Sequence, residues 1–292
     1  MPDESLLAAL RWRVLSSYKV NKLRTWIHQV LNPSEKARIV FVFGCQRSGT
    51  TMLRSFIGFD PRVDDQGEGD PPYFWQGSEA DPRYLRLLPD EEVERIASRC
   101  QSEVLLIKPL HDSQRAAGLL QRFPGSKGIW IFRHYHEVIL SHLTYYRGRY
   151  EPMPYLKDML ELNDQSWKAE GLDAEARELI LKHRHLVTNP TAGFALFWLV
   201  RNQLLFSQLA QNPGLPLVSI HYADLINHSR EALRFLGGYV GLDLDPRYAQ
   251  FPERRERRKE LPDAIPPELL TACDQMMERL KQSAVRLDPA TV

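Results

Sequence analysis

Cysteine is scarce: the 292-residue chain has three, Cys45, Cys100 and Cys273, far apart and with no CxxC pair. An odd, scattered set excludes a disulfide framework and fits a reducing compartment. Long apolar runs are missing as well. A membrane-spanning helix needs about 20 apolar residues, and the longest candidate, AGFALFWLV at 192–200, stops at Arg201. The chain starts with acidic residues instead of a basic stretch followed by an apolar core. No secretory signal is read, and a cytoplasmic location is expected. An excess of charge of one sign is also absent: 38 Lys and Arg face 37 Asp and Glu, for a net charge of +1. The surface as a whole is therefore not built for a polyanion, no nucleic-acid partner is expected, and any anion site has to be local. There is no HExxH. The histidines of HYH at 134 and HRH at 183 lack a cysteine or carboxylate at ligand spacing, so no metal is expected.

What is present is ordinary for a globular protein, with 43% hydrophobic and 26% charged residues. Short apolar runs alternate with helical patterns. RIVFVF (38–43), VLLIKP (104–109), GIWIFR (128–133) and PLVSI (216–220) read as buried strands. Helices are predicted near 50–59, 90–100, 112–123, 136–148, 172–185, 190–211, from 229 and at 267–283. Asn189 is placed to cap the long helix and Pro190 to occupy its first turn. A polar, Gly-rich loop is predicted through DDQGEGDPP (64–72). This alternation predicts an α/β fold, P-loop-like and three-layered, with a mainly parallel sheet flanked by helices. Residues 1–37 read as an N-terminal helical extension and 38–292 as one α/β domain with a helical insertion near 150–188.

The extension itself reads as a helix over 5–31. Five cations and no acid lie between Arg11 and Arg24. Two readings fit: a helix packed on the domain with a solvated basic face, or a basic helix in peripheral contact with an anionic membrane surface.

The first strand runs into FGCQRSGTT (43–51): Gly44, four residues, Gly49, then Thr50 and Thr51. A strand, a glycine turn and a helix N-terminus form an anion site, because unpaired backbone N–H groups and the helix dipole point at the ligand. Ser48, Thr50 and Thr51 add hydroxyls and Arg47 a fixed charge. Triphosphate-binding loops carry Lys after the second glycine. Here that position is Thr50, which disfavours an ATP-dependent kinase of the P-loop type.

Four segments in order carry a resemblance. CQRSGTTML resembles the 5′-phosphosulfate loop of sulfotransferases that use 3′-phosphoadenosine 5′-phosphosulfate (PAPS). LLIKPLHDS is similar to that family's second strand. GIWIFRHYHEVILSHL is similar to its 3′-phosphate signature, a strand followed by an Arg and, eight residues on, a Ser; here they are Arg133 and Ser141. SIHYADLINHSREALRFLGGYVGL is similar to its Tyr-Glu-Asp-Leu strand end and following helix, with Ala223 in place of the Glu and Gly-Tyr-Val inserted.

The resemblance implies PAPS as co-substrate, a hydroxylated acceptor and no metal. It implies that Arg47, Ser48, Gly49, Thr50, Thr51, Arg133 and Ser141 bind the nucleotide, and that Arg47 and Lys108 stabilise charge on the leaving phosphate. Glu68 matches the carboxylate base of the tyrosylprotein and related members. His111, three residues after Lys108, stands near the histidine base of the cytosolic small-molecule members and is the second candidate. A saccharide, glycolipid or small hydroxylated metabolite is the expected acceptor, with a protein tyrosine as the alternative. Tyr73, Phe74, Trp75, Tyr145, Tyr146 and Trp167 are either acceptor-stacking residues or core. The basic run at 254–259 is either a lid over the nucleotide or a solvated face.

Overall fold

The computed structural model describes residues 18–77, 81, 83–145, 147, 151–249, 260–285 and 287. The basic run at 254–259, Tyr146 and the first part of the N-terminal segment lie outside the described residues.

Five parallel strands form one sheet, in the order β2-β3-β1-β4-β5. They are β1 (Arg38–Gly44), β2 (Val63–Gln66), β3 (Val104–Ile107), β4 (Lys127–Phe132) and β5 (Leu217–His221). Eleven α-helices accompany them among the described residues. Those used below are α1 (Tyr18–Leu31), α2 (Thr50–Gly58), α3 (Asp90–Ala97), α4 (Ala116–Arg122), α5 (Tyr135–Tyr145), α6 (Pro152–Leu160), α7 (Ala174–His183), α8 (Pro190–Gln211), α9 (Tyr222–Asn227), α10 (Ser229–Val240) and α11 (Pro267–Ser283).

The four apolar runs became strands because both faces of each are buried. Successive side chains point to opposite sides. Phe41, Phe43, Leu105, Ile107, Trp130 and Phe132 face one core, which α8 fills. Val40, Val42, Val104, Leu106, Ile129 and Ile131 face the other, closed by α2 and α10. This is the three-layer arrangement expected from the sequence. Asn189 caps α8 through Oδ1 from Ala192 N at 2.9 Å, with Pro190 in the first turn. The predicted helix at 112–123 is instead a 3-10 turn over Leu110–Arg115 followed by α4.

The main difference is β2, where the sequence reads as loop. VDDQ is an edge strand paired with β3, Val63 opposite Val104 and Gln66 opposite Ile107. Its carboxylates are neutralised by neighbours: Asp64 by Lys22 at 3.1 Å, Asp65 by Arg54 at 3.0 Å. Lys22 belongs to α1, which runs beside this edge strand. Lys22 Nζ also donates to Asp65 O at 2.7 Å, Thr25 Oγ1 to Val63 O at 3.3 Å and Asn21 Nδ2 to Gly58 O. Helix α1 therefore packs through polar residues and holds an acidic edge strand in the sheet.

Candidate active site

Because all strands are parallel, their C-terminal ends gather on one edge, and the polar residues that follow them converge there. The loop after β1 is shaped by backbone that side chains rarely tolerate. Gly44 has φ +143°, and a Cβ there would lie 2.4 Å from Ile131 O of β4. Gly49 has φ +96°, and a Cβ would lie 2.3 Å from the Tyr222 ring. Arg47 is non-glycine at φ 67°, a strained conformation of the kind found at ligand sites. Its guanidinium is aimed by two contacts from α5: Nε donates to Ser141 Oγ at 3.1 Å, and the group lies 4.2 Å from the Tyr145 ring centre. Cys45 is fully buried, and burial pushes its thiol up to about 12, so no thiolate is available for chemistry.

At the end of β3, Lys108 Nζ is 2.8 Å from Glu68 Oε2 and 3.5 Å from Thr51 Oγ1. The other Glu68 oxygen is buried with no hydrogen-bond partner. His111 follows on the 3-10 turn, its ring stacked on Trp167 with centroids 4.1 Å apart. Burial pushes its imidazole below the usual histidine range, against the pull of Glu68. Its Nδ1 lies 3.4 Å from Tyr84 O. A carbonyl only accepts, so this contact places the neutral ring's proton on Nδ1 and leaves the Nε2 lone pair bare. Arg201 fixes the turn from below: fully buried, it donates from Nη2 to Leu110 O at 2.9 Å and from Nη1 to Gln114 Oε1 at 3.3 Å.

At the end of β4, Arg133 lies 4.3 Å from the Tyr222 ring centre and pairs with Glu137 at 3.1 Å. Its Nε is buried without a hydrogen-bond partner. Tyr222, just after β5, thus touches both the first loop and Arg133.

These groups line a single cavity of about 750 Å³. Arg47, Gly49, Thr50, Thr51, Glu68, Lys108, His111, Arg133 and Ser141, all expected from the sequence, are on its wall. Ser48 is not: it is buried behind the loop, its N–H bonded to Cys45 O at 3.2 Å. Of the aromatic residues singled out, Tyr145 and Trp167 line the cavity, Tyr73 and Phe74 are core, and Trp75 lies under Arg83.

Sequence reasoning missed a second wall, built by α6 and the segment after it. Lys168 pairs with Asp158 at 3.6 Å and lies 4.2 Å from the Tyr155 ring centre. Burial lowers its ammonium pKa, with Asp158 opposing. Asn163, Gln165 and Tyr84 complete this wall. No sequence signal joins Tyr155, Asp158, Asn163, Gln165 and Lys168 to the loop more than 100 positions earlier. Among the described residues no group of three or more His, Cys, Asp or Glu side chains gathers as a metal cage.

No family model matches the chain, and no curated protein sequence matches it. Solved structures do. A sulfotransferase from Alicyclobacillus acidocaldarius aligns over 83% of this chain and 94% of its own, at 14% identity and a TM-score of 0.50. The sulfotransferase domain from the curacin biosynthetic pathway covers 84% of this chain and 99% of its own, at 16% identity and 0.48. Mouse sulfotransferase SULT7A1 complexed with PAP covers 90% of each chain, at 12% identity and 0.45. The α/β architecture of this chain is similar to that of the Alicyclobacillus sulfotransferase.

Proposed function

We propose that the chain is a sulfotransferase that moves the sulfuryl group of PAPS to a hydroxyl and releases 3′,5′-adenosine bisphosphate. One observation carries the reading: two arginines that follow different strands, Arg47 and Arg133, line one cavity that also holds a lysine–carboxylate pair. The first is Arg47 in the loop after β1. The second is Arg133 after β4, a charge that a simple triphosphate site does not need; Ser141, expected beside it, has its hydroxyl on Arg47 Nε at 3.1 Å. The buried, unpartnered Nε of Arg133 and Oε1 of Glu68 fit groups that await a ligand.

In this reading the loop N–H groups and Arg47 hold the 5′-phosphosulfate, and Arg133 reads the 3′-phosphate. The acceptor oxygen forms a bond to sulfur while the bond from sulfur to the 5′-phosphate oxygen breaks. Glu68 takes the acceptor's proton, and His111, with its bare Nε2, is the second candidate. Arg47 and Lys108 stabilise the charge that develops on the leaving phosphate. Trp167, Tyr84 and Tyr155 beside Asp158, Asn163 and Lys168 offer stacking faces among hydrogen-bonding groups. That mixture favours a saccharide or another small polyhydroxylated acceptor over a tyrosyl side chain.

Thermal melting tests the donor. At 100 times its dissociation constant, 3′,5′-adenosine bisphosphate stabilises by about 2.7 kcal/mol, a rise of roughly 4 °C for a chain of this size. ATP with Mg²⁺ alone giving the shift would replace this reading with a kinase. Arg133→Ala is expected to remove the bisphosphate shift. Glu68→Gln is expected to keep it and to lower transfer from labelled PAPS by roughly 10²–10⁴-fold. Retained turnover in that variant moves the base to His111.

A further inference from the structure

Helix α1 carries its apolar stripe on the wrong side for a soluble domain. Asn21, Lys22, Thr25 and Gln29 share the face that bonds to the body, through Gly58 O, Asp64, Val63 O and Ser102 Oγ. At about 100° per residue, Leu23, Trp26, Ile27, Val30 and Leu31 fall on the opposite arc. They are exposed by 56%, 60%, 43%, 59% and 71%. Among the described residues these are five of the eight exposed large hydrophobic side chains, so the exposure is concentrated on one helix face. The polar anchors fix the helix in this rotation and leave the stripe pointing away from the protein.

The charge around the stripe says what covers it. From Ser5 to Ser34 the sequence has no acid and five cations, Arg11, Arg13, Lys19, Lys22 and Arg24, in a chain that is balanced only as a whole. Lys22 is committed to Asp64, and Arg24 Nη2 donates to the Tyr248 hydroxyl at 3.3 Å, so the excess charge that the body does not take up is that of Arg11, Arg13 and Lys19 in the sequence. A second copy of the chain fits less well. A 14-residue helix is about 21 Å long and about 10 Å wide, so the face offers roughly 200 Å², against about 800 Å² per partner in a stable dimer.

We propose that α1 is a membrane-surface anchor for an anionic bilayer. It lies in the interface, with Trp26 and its aliphatic neighbours among the upper acyl chains and the body of the protein above, and the positive charge of this stretch of sequence favours anionic lipid. The inference rests on this surface alone and stands whichever reaction the cavity performs.

The test is flotation of the full chain with vesicles of phosphatidylcholine containing about one third phosphatidylglycerol, against phosphatidylcholine alone. Binding to the anionic vesicles is expected, weaker by at least tenfold on the neutral ones and weakened by salt. Trp26→Glu with Val30→Glu should abolish it while leaving the melting temperature unchanged. Arg11→Gln and Arg13→Gln should each weaken it roughly fivefold. Failure of the wild-type chain to float overturns the proposal, as does flotation that survives the double substitution. A dimer that the same substitution converts to monomer, without vesicle binding, makes the face a self-interface. A melting temperature that falls with the substitution means the face is already covered by the chain itself. Either result overturns the anchor.

Discussion

Arg47 differs from the other cations of the cavity in what it lacks. Lys108, Arg133 and Lys168 each have a carboxylate partner in Glu68, Glu137 and Asp158. Among the described residues Arg47 has none; a serine hydroxyl and an aromatic face hold it. Its charge reaches inward as well. His142, fully buried and stacked on Phe194 with centroids 4.6 Å apart, is pushed down to about 3, first by burial and then by Arg47. The folded-state value lies below the unfolded one near 6.5, so the unfolded chain binds the extra proton. Stability from this residue is complete above about pH 6.5 and is lost as pH falls towards 3. At pH 5 the loss is about 2 kcal/mol. In urea unfolding, His142→Phe is expected to flatten that part of the wild-type decline between pH 7 and 5; equal slopes would contradict it. Gly49 makes a separate point. Gly49→Ala adds strain at φ +96° and drives a methyl into the Tyr222 ring. A loss of at least about 1 kcal/mol is expected, together with weaker anion binding. Tyr222→Ala should restore only part of it, because the backbone strain stays.

The 3-10 turn after β3 works as a clamp between elements. Asp112, with no exposed surface, accepts from Arg86 Nε at 2.9 Å, Arg86 Nη2 at 2.8 Å and Leu87 N at 2.9 Å. It thereby pins the segment bearing Tyr84 and Leu85 onto the cavity, and with it the carbonyl that sets the His111 tautomer. Asp112→Ala leaves Arg86 buried beside empty space, and a loss of about 3–5 kcal/mol is expected in denaturant unfolding. A loss below 1 kcal/mol would mean that Glu170, the other partner of Arg86, suffices. None of this was legible in the sequence, where Asp112 is one acid among many. Elements whose signal is local were legible: apolar runs for β1, β3, β4 and β5, and Asn-Pro for the start of α8. Strand β2 was not, because VDDQ reads as polar until Lys22 and Arg54 are placed beside its carboxylates. Arg201 read as the end of an apolar run and is in fact buried deep within α8. Half of the site was legible because the loop, Lys108, Arg133 and Ser141 follow strands at short, fixed spacing. The wall of Tyr155, Asp158 and Lys168 was not, since only tertiary packing brings it to the loop.

Helix α8 decides how the molecule holds together. Its residues from Thr191 to Gln208 are all buried, and it packs against α5, α6, α7, α11 and β1. A helix buried all round cannot stand alone, so the elements around it have to come apart with it. Helices α6 and α7 have no core of their own. Leu156, Met159, Ala176 and Ile180 belong to the same apolar cluster as Trp130, Trp198 and Phe41. The cavity wall on that side, with Tyr155, Asp158 and Lys168, therefore has the stability of the sheet, not that of a hinged flap. Tryptophans report on each part: Trp130 on the sheet, Trp198 on α8 and Trp167 on the second wall, each at most 9% exposed. In urea, tryptophan emission and far-ultraviolet circular dichroism are expected to change in one coincident transition. Trp167→Phe should leave the emission midpoint on the circular dichroism curve. An early emission change that this substitution removes would mean that the wall opens first. The second wall would then be a separately folding unit, and binding there would carry an ordering cost that the single-core structure does not require.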